Sequence, residues 1–430
     1  MRLTVRFTTA CVGKNGSMPL SSPPAVADRQ SWLRWAALGL GAGAAVSSVI
    51  AGATSALAAH FAKEVVTPRK REENLEILAV VQTGEGMEVI LPANEDTTVE
   101  GTYSLYFDEG RGHARIGSIR SFVPREGTVQ RTVETVYSGD IRSAVRGWWS
   151  GAVYPTPSAL GFADEPVDVP VAGGTAPAWL VRAETPSRTW AIMVHGRGVQ
   201  RSEGLRAVRT AREAGMTSLL VSYRNDGEAP FAADGRYGLG MTEWQDIEAA
   251  MEYAFSSGAH DVVLFGWSMG GAICLQAADA SRYRTKIRAL VLDGPVIDWM
   301  DVLTHQAELN RIPAPAGRLG QWLISNSFGR LVTGLSTPVD LKSMDWVTRA
   351  DQLTVPVLIL HSEDDEFVPV GPSAELAERN PVFVTFERFY RARHTKEWNV
   401  DPERWHRVTA DWLRLKVFGR VEPKRVLSGP

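Results

Sequence analysis

A serine stands between two glycines in Gly266-Trp-Ser-Met-Gly270, directly after a run of apolar residues. The apolar run Val262–Phe265 predicts a buried strand, and the small residues after Ser268 predict the start of a helix. A sharp turn between strand and helix exposes the serine hydroxyl and crowds the positions two before and two after it, which therefore favour glycine. Ser268 is the candidate nucleophile, and Gly266 and Gly270 are the candidate structural glycines of its turn. The alternative is a strand, a turn and a helix with no chemistry.

A serine hydroxyl attacks a carbonyl group efficiently when a base removes its proton and a third group orients that base. Four histidines follow the serine in the chain. His394 lies on a loop just after the predicted strand Val382–Phe389, and we expect it to be the base. His305 lies in an insertion, His361 comes too early to follow an acid, and His406 falls inside the predicted last helix.

The orienting acid is expected on the loop 361–369, which follows another predicted strand and is rich in carboxylates. Loops at the carboxyl ends of parallel strands hold the site in open α/β sheets. Asp365 is the preferred acid, with Asp364 and Glu363 as alternatives. Asp293 is the rival elsewhere in the chain, although a role in capping the Gly-Pro turn after it explains that residue without chemistry.

Acyl transfer also needs hydrogen-bond donors for the oxyanion. The backbone N–H of Met269, at the start of the helix after the serine, is one candidate. The second is expected on the loop after an earlier strand, where His195-Gly196-Arg197-Gly198 stands. The N–H of Arg197 is the preferred donor, and the neighbouring glycines allow the backbone to approach a substrate closely.

These residues fall between segments that alternate in character from about residue 151 to 418. A hairpin comes first, and the alternation then predicts a mostly parallel sheet with helices on both faces. The predicted strands are 190–194, 217–223, 262–265, 289–293, 355–361 and 382–389, and the predicted helices are 204–214, 241–256, 269–280 and 402–416.

The order and spacing of these motifs resemble the α/β-hydrolase superfamily over roughly residues 160–416. The matching motifs are His195-Gly-x-Gly198, Gly266-x-Ser268-x-Gly270, His361-x-x-x-Asp365-x-x-Val-Pro369 and His394. The resemblance implies Ser268 as nucleophile, Asp365 as acid and His394 as base. Ser362 departs from the pattern, because the family usually has glycine after the first histidine of that loop.

A narrower resemblance is to bacterial serine hydrolases related to dienelactone hydrolases and acyl-peptidase-type esterases. It is carried by Tyr223-Arg-Asn-Asp226, Tyr237-Gly-Leu-Gly240 and Glu243-Trp244. It implies a carboxylesterase or lipase-like activity. Thioesterase or peptidase chemistry through the same residues is the alternative, and a non-catalytic binding protein of the same fold is the alternative from another class.

Composition excludes several classes of protein. A net charge of −3 and the lack of a basic, aromatic-rich stripe argue against nucleic acid as a partner. Two cysteines, Cys11 and Cys274, exclude a disulfide framework. The sequence has no C-x-x-C or H-E-x-x-H spacing, so we expect neither a metal nor a cofactor.

The N-terminal region predicts attachment to a membrane. Residues 1–31 are polar and predicted to be disordered, and either Met1 or Met18 is the true start. The stretch from Trp35 to Phe61 carries no charge, so residues 32–62 are predicted to form a single-pass anchor in the cell membrane. The alternatives are a signal peptide cleaved near residue 58, which gives a secreted protein, and a buried or disordered alanine-rich helix.

Three further segments complete the organisation. Residues 75–150 alternate with period two between turn residues and predict a small antiparallel β-rich domain. Residues 296–350 are predicted to form a helical cap inserted in the hydrolase domain, and 419–430 a tail. The apolar side chains of the cap favour an apolar acyl substrate or form the core of the cap; they are Trp299, Leu303, Leu309, Leu319, Trp322, Leu323 and Phe328.

Overall fold

The computed structural model describes residues 51–84 and 86–419. The described residues 51–66 are helical, and this helix is α1. Its last turns are buried in the protein at Phe61, Ala62 and Val66. A Cβ atom added to Gly320 would lie 2.8 Å from the Phe61 ring, so α1 packs directly against the segment that contains Gly320.

The predicted membrane segment 32–62 is described only from residue 51 onward. The predicted disordered residues 1–31 and the tail after residue 419 also lie outside the described residues. The helix does not end at residue 62 as predicted but continues to residue 66, because its final turn is anchored in the hydrophobic core. Within residues 51–84 and 86–419, no helix is both long enough and apolar enough to cross a membrane.

Residues 75–150, the β-rich domain, form a seven-stranded sheet with the order β1-β7-β4-β5-β6-β3-β2 and antiparallel pairing throughout. The strands are β1 (Leu75–Glu76), β2 (Ala79–Thr83), β3 (Gly86–Pro92), β4 (Tyr103–Phe107), β5 (Gly112–Val123), β6 (Thr128–Ser138) and β7 (Arg146–Ser150). Their alternating side chains bury one apolar face, which includes Val89, Leu105 and Ile116.

The second sheet has eight strands in the order β15-β14-β13-β12-β10-β11-β9-β8. The strands are β8 (Glu165–Val171), β9 (Gly174–Val181), β10 (Thr189–Val194), β11 (Thr217–Val221), β12 (Asp261–Trp267), β13 (Ile287–Asp293), β14 (Val357–Ser362) and β15 (Val384–Phe389). Only the pairs β8–β9 and β9–β11 of these are antiparallel. The central strands are continuously apolar because helices cover both faces of the sheet.

The helices after α1 are α2 (Leu205–Glu213), α3 (Trp244–Ser256), α4 (Met269–Ala280), α5 (Trp299–Leu309), α6 (Ala314–Ser325), α7 (Arg330–Thr333), α8 (Gly371–Arg379), α9 (Glu397–Val400) and α10 (Pro402–Lys416). Helices α3 and α4 cover one face of the large sheet, and α2 and α10 cover the other. Along β10, Ile192 therefore packs in the first core and Met193 in the second. Helices α5, α6 and α7 belong to residues 296–350.

The register of the parallel strands brings their carboxyl ends to one edge. Val194 pairs with Gly266, and Trp267 pairs with Asp293. Ser362 at the end of β14 pairs with Phe389 at the end of β15. The loops that follow these strands consequently emerge side by side, which is where an open α/β sheet places its site.

The β-rich domain contains one buried cation, Arg131, with no exposed surface. Its guanidinium donates to the carbonyl oxygens of Thr97, Val99, Gly101 and Gly117 at 2.7–2.9 Å. These bonds hold the chain between β3 and β4 against the sheet. Removing the donor leaves several buried carbonyl groups without a partner, which is costly.

Arg131→Met should therefore lower the free energy of unfolding by about 3 kcal/mol. Urea denaturation followed by circular dichroism measures the change. The control is Arg142→Met, because Arg142 is exposed on the same domain and should change stability by less than about 0.5 kcal/mol. Equal stabilities for the two variants would contradict the role given to Arg131.

Candidate active site

The turn between β12 and α4 holds Ser268 in a strained backbone conformation, with φ 53° and ψ −118°. The flanking glycines are required by close contacts. A Cβ atom on Gly266 would lie 2.6 Å from the Gly270 carbonyl oxygen, and one on Gly270 would lie 2.2 Å from the carbonyl oxygen of Val194. Any side chain at these two positions would force the turn apart.

Ser268, His394 and Asp365 form a continuous chain of contacts. The serine Oγ lies 2.8 Å from Nε2 of His394. Nδ1 of the same imidazole lies 2.7 Å from Oδ2 of Asp365. The three residues sit on the loops after β12, β15 and β14, so Ser268 and His394, which are 126 residues apart in the sequence, meet in one site.

Asp365 is held on both carboxylate oxygens. Its Oδ1 accepts hydrogen bonds from the N–H groups of Phe367 at 2.9 Å and Val368 at 2.8 Å. Its Oδ2 is also 3.1 Å from Nε2 of His361, whose Nδ1 contacts the Ser373 hydroxyl at 2.8 Å. Burial raises the pKa of Asp365, but the charge of His394 and the hydrogen bond from His361 outweigh it and hold that pKa well below its usual value.

The pKa of His394 is shifted in the opposite direction. Burial lowers its pKa, and the neighbouring Asp365 carboxylate raises it by more, so the pKa of His394 lies above the usual value of an imidazole. An ionised carboxylate beside one ring nitrogen leaves the other nitrogen more basic. The arrangement can take a proton from Ser268.

The loop after β10 approaches Ser268 closely. A Cβ atom on Gly196 would lie 3.3 Å from Cβ of Ser268. Met269 is the first residue of α4, so its N–H has no acceptor within that helix. Arg197, Ser268 and Met269 line the same cavity, so the residues that carry the two candidate donors and the candidate nucleophile lie beside one space.

Several side chains fix the loop after β10. The ring of His195 stacks on Tyr223, with centroids 4.3 Å apart, and its Nε2 is 3.2 Å from Oδ2 of Asp226. The Tyr223 hydroxyl donates to the carbonyl oxygens of His195 and Gly196. The Arg197 side chain bonds to another part of the protein. Its guanidinium donates to the Glu64 carbonyl oxygen at 2.8 Å and so links the loop to α1.

A buried ion pair links this loop to the His394 loop. Glu203 accepts a hydrogen bond from the N–H of Gly196 at 2.7 Å, and it lies 3.4 Å from Arg206. Arg206 in turn donates to the carbonyl oxygen of Thr395 at 2.7 Å. The two sides of the site are therefore coupled through one carboxylate and one guanidinium.

A pair of buried carboxyl groups lies behind the serine. Asp293 accepts from the N–H of Ser268 through its carbonyl oxygen at 3.1 Å, and its carboxylate accepts from the Trp405 indole at 2.6 Å. Glu397 accepts from the N–H of Ser362 at 2.9 Å. Burial raises the pKa of both groups, and the neighbouring charge of Asp293 raises the pKa of Glu397 further. Asp293 thus supports the strand end, and the imidazole of His394 contacts Asp365 instead.

The β-rich domain supports the loop of His394 from the other side. Asn399 donates to the carbonyl oxygens of Thr102 at 2.7 Å and Gly151 at 3.0 Å, and its own carbonyl accepts from the N–H of Thr102 at 3.0 Å. The salt bridge between Lys396 and Asp96, at 2.5 Å, lies beside these bonds. The domain thus contacts residues that follow His394 by two to five positions.

Ser268 opens into a cavity of about 690 Å³, which we call the serine cavity. Apolar side chains of α1, of the loop after β14 and of the cap form much of its wall: Leu57, Phe61, Val296, Trp299, Val302, Leu303 and Phe367. The expectation that all apolar cap residues face substrate or cap core is wrong for three of them. Leu309, Trp322 and Phe328 are at least 45% exposed, since only one side of each cap helix faces the protein.

A family model described as the alpha/beta hydrolase family matches residues 191–411, just over half of the chain. The chain belongs to the alpha/beta hydrolase family. The predicted fold of the hydrolase domain is thereby confirmed. The narrower resemblance to dienelactone hydrolases and acyl-peptidase-type esterases stays a prediction. A second model, described as a domain of unknown function (DUF8805), matches residues 76–150.

Solved structures similar to this chain include the esterase Pf2001 of Pyrococcus furiosus, at 18% identity and a TM-score of 0.47, covering 61% of this chain and 94% of that one. Est1E from Butyrivibrio proteoclasticus is 17% identical with a TM-score of 0.44, covering 60% and 100%. A monoacylglycerol lipase of Paleococcus ferrophilus is 20% identical with a TM-score of 0.39, covering 55% and 98%. A comparison with curated protein sequences finds no match.

The structure brings together the residues singled out from the sequence, Ser268, Asp365, His394, Met269 and Arg197, and their supporting residues His195, Gly196, Gly266 and Gly270. The two alternative acids lie elsewhere: Glu363 pairs with Arg388, and Asp364 accepts from the N–H of Arg391. Sequence reasoning missed Glu203, Arg206, Glu397 and Asn399. Arg206 falls on a predicted helix face, where a cation is ordinarily exposed, so no local pattern marks it.

The backbone strain at Ser268 predicts a difference in stability between two variants. Ser268→Gly should be about 1 kcal/mol more stable than Ser268→Ala, because glycine adopts a positive φ without the penalty that a Cβ atom brings. Urea denaturation of the two proteins measures the difference. An alanine variant as stable as the glycine variant would show that the turn is not strained.

The electrostatics of the site predict that Asp365→Asn lowers the pKa of His394. Losing the carboxylate charge should lower it by about one to three pH units. NMR titration of the protein with ¹⁵N-labelled histidine measures it. Asp364→Asn is the matched control, since Asp364 bonds to the backbone of Arg391, and it should leave the His394 titration in place. The same fall in both variants would contradict the specific role of Asp365.

Proposed function

We propose that this protein is a serine hydrolase that cleaves carboxylic esters through an acyl-enzyme intermediate. The observation that carries the proposal is the hydrogen-bonded chain from the Ser268 hydroxyl through His394 to the buried Asp365. Ser268 lines a cavity that Met269 and Arg197, the residues of the two candidate backbone donors, also line. Nucleophile, base and orienting acid in hydrogen-bond contact are the arrangement that acyl transfer needs.

In the first half of the reaction, His394 takes the proton of Ser268 as its Oγ attacks the ester carbonyl carbon. The carbonyl oxygen becomes an oxyanion, which the N–H groups of Met269 and Arg197 stabilise. Losing one such donor typically costs about 3 kcal/mol of transition-state stabilisation. His394 then gives its proton to the alcohol oxygen, the carbon–oxygen bond breaks, and the alcohol leaves.

In the second half, water attacks the acyl group on Ser268. His394 takes a proton from this water, and the same two N–H groups hold the second oxyanion. The proton then passes from His394 to Oγ of Ser268, the acid is released and the serine is restored. Asp365 stays ionised throughout and stabilises the imidazolium form of His394 in each half.

The walls of the serine cavity favour an ester with an apolar group near the reacting carbonyl, because Trp299, Leu303 and Phe367 border the space beside Ser268. Thioesters and amides react through the same three residues. A panel of ester, thioester and anilide substrates of equal acyl length separates these activities. A non-catalytic binding role is the alternative from another class, and such a protein has no need of an activated serine.

Attachment to the cell membrane through residues 32–62 stays a proposal, supported by the uncharged stretch from Trp35 to Phe61. Secretion after cleavage near residue 58 is the alternative. Fractionation of cells with alkaline carbonate separates an anchored chain from a released one.

Hydrolysis of p-nitrophenyl butyrate tests the roles of the three residues. Ser268→Ala and His394→Gln should each lower kcat/KM by about 10⁴-fold or more, and Asp365→Asn by about 10⁴-fold. The matched control is His406→Gln, because His406 contacts Thr210 and Glu213, and its variant should hydrolyse the ester at the wild-type rate. Unchanged hydrolysis by Ser268→Ala would refute the mechanism.

A further inference from the structure

A second cavity, which we call the side cavity, has a volume of about 510 Å³ and lies between the β-rich domain and the loops after β10 and β11. Tyr106, Glu109 and Trp148 of the β-rich domain line it, and Gln200 and Phe231 line it from the hydrolase domain. The side cavity and the serine cavity share the basic segment 69–71, Gly198 and Tyr237 as lining residues. The two spaces therefore adjoin, with Gly198 one residue from the oxyanion donor Arg197.

The basic segment supplies three cations with different partners. Arg69 forms a salt bridge with Glu64, and Lys70 forms one with Glu109 at 3.0 Å. Arg71 instead donates from Nε to the Gly198 carbonyl oxygen at 3.1 Å. Within the described part of the chain, Arg71 has no carboxylate at ion-pair distance, although its side chain is exposed to both cavities.

The two carboxylates that line the side cavity, Glu109 and Asp226, already have hydrogen-bond or ion-pair partners. Glu109 is paired with Lys70. Asp226 contacts His195 and accepts from the N–H groups of Glu228 and Ala229, both at 2.8 Å. Within residues 51–84 and 86–419, only Nε of the Arg71 guanidinium donates to a protein acceptor, so its other two nitrogens are available to a ligand. A planar guanidinium with several free donors suits a carboxylate or a phosphate group.

The β-rich domain gives this space a rigid aromatic wall. Trp148 stacks on Tyr106 with ring centroids 5.1 Å apart and 7° between the planes. Tyr106 in turn stacks on His113 at 4.1 Å. A stacked wall of this kind offers a flat apolar surface to the chain or ring that carries the anionic group.

Resting on the hydrolase activity proposed above, we propose that the side cavity is a subsite for an anionic ester substrate. The substrate extends from Ser268 past Gly198, lays its apolar part against Trp148, and binds its terminal carboxylate or phosphate to Arg71. The β-rich domain thereby forms part of the substrate-binding site. The proposal gives that domain a function in selecting the substrate.

The test compares two series of p-nitrophenyl esters with the full chain. One series consists of the mono-esters of glutarate, adipate, pimelate and suberate; the other has acyl chains of matched length that end in a neutral isopropyl group. Wild-type protein should prefer the anionic ester in kcat/KM for at least one length. Arg71→Gln should reduce this preference at least tenfold, and Arg71→Lys should keep part of it.

The control is Lys286→Gln, which removes the same charge at a site over the Phe255 ring and lines neither cavity; it should keep the wild-type preference. Thermal unfolding midpoints show whether each variant is folded. No preference for an anionic ester at any length, or the same preference in Arg71→Gln, would overturn the proposal.

Calorimetric titration with phenylacetate and phenyl phosphate tests Arg71 without relying on hydrolysis. Binding of either anion should be weakened at least tenfold in Arg71→Gln and retained in Ser268→Ala, and the tighter of the two identifies a carboxylate or a phosphate as the natural group. Equal binding to wild type and Arg71→Gln would overturn the subsite. Failure of Ser268→Ala to stop hydrolysis would overturn the proposed function alone.

Discussion

The contact between the buried carboxylate of Asp365 and His394 is the interaction on which the rest of the site depends. A buried carboxylate stays ionised only when hydrogen bonds and a nearby cation compensate for lost hydration. Asp365 has two backbone donors, His361 and His394 for this purpose. Its fixed charge sets the orientation and basicity of His394, and these in turn determine whether Ser268 is a nucleophile.

Support for this contact spreads well beyond the three residues. Arg206 links the loop of His394 to Glu203. Glu203 in turn accepts a hydrogen bond from Gly196 in the loop after β10. Asn399, in helix α9 directly after the loop of His394, bonds to the β-rich domain. The β-rich domain therefore contacts the segment that follows His394, and through Trp148 it also borders the side cavity. The β-rich domain makes both contacts although Ser268, His394 and Asp365 all lie in the hydrolase domain.

A residue of the site could be predicted from the sequence where a pattern in the neighbouring residues marks it. The glycines around Ser268 indicate the turn, and the apolar runs before Asp365 and His394 indicate the strands that precede these two residues. Arg206 and Asn399 were not predictable, because their partners Thr395 and Thr102 lie about 190 and 300 residues away. The sequence also predicted a helical cap over residues 296–350 but not which sides of its helices are exposed, so Trp322 and Phe328 were misplaced. The end of α1 was misplaced because burial of Val66 depends on tertiary packing.

The central claim is that Ser268 is chemically activated by His394 and Asp365. Mass spectrometry of the full chain after reaction with a fluorophosphonate tests it most directly, because phosphonylation requires an activated serine and leaves a stable adduct. We expect one adduct per chain, mapped to the peptide that contains Ser268, and we expect its formation to be strongly slowed in Asp365→Asn. An unlabelled chain, or an adduct on a different serine, would contradict it.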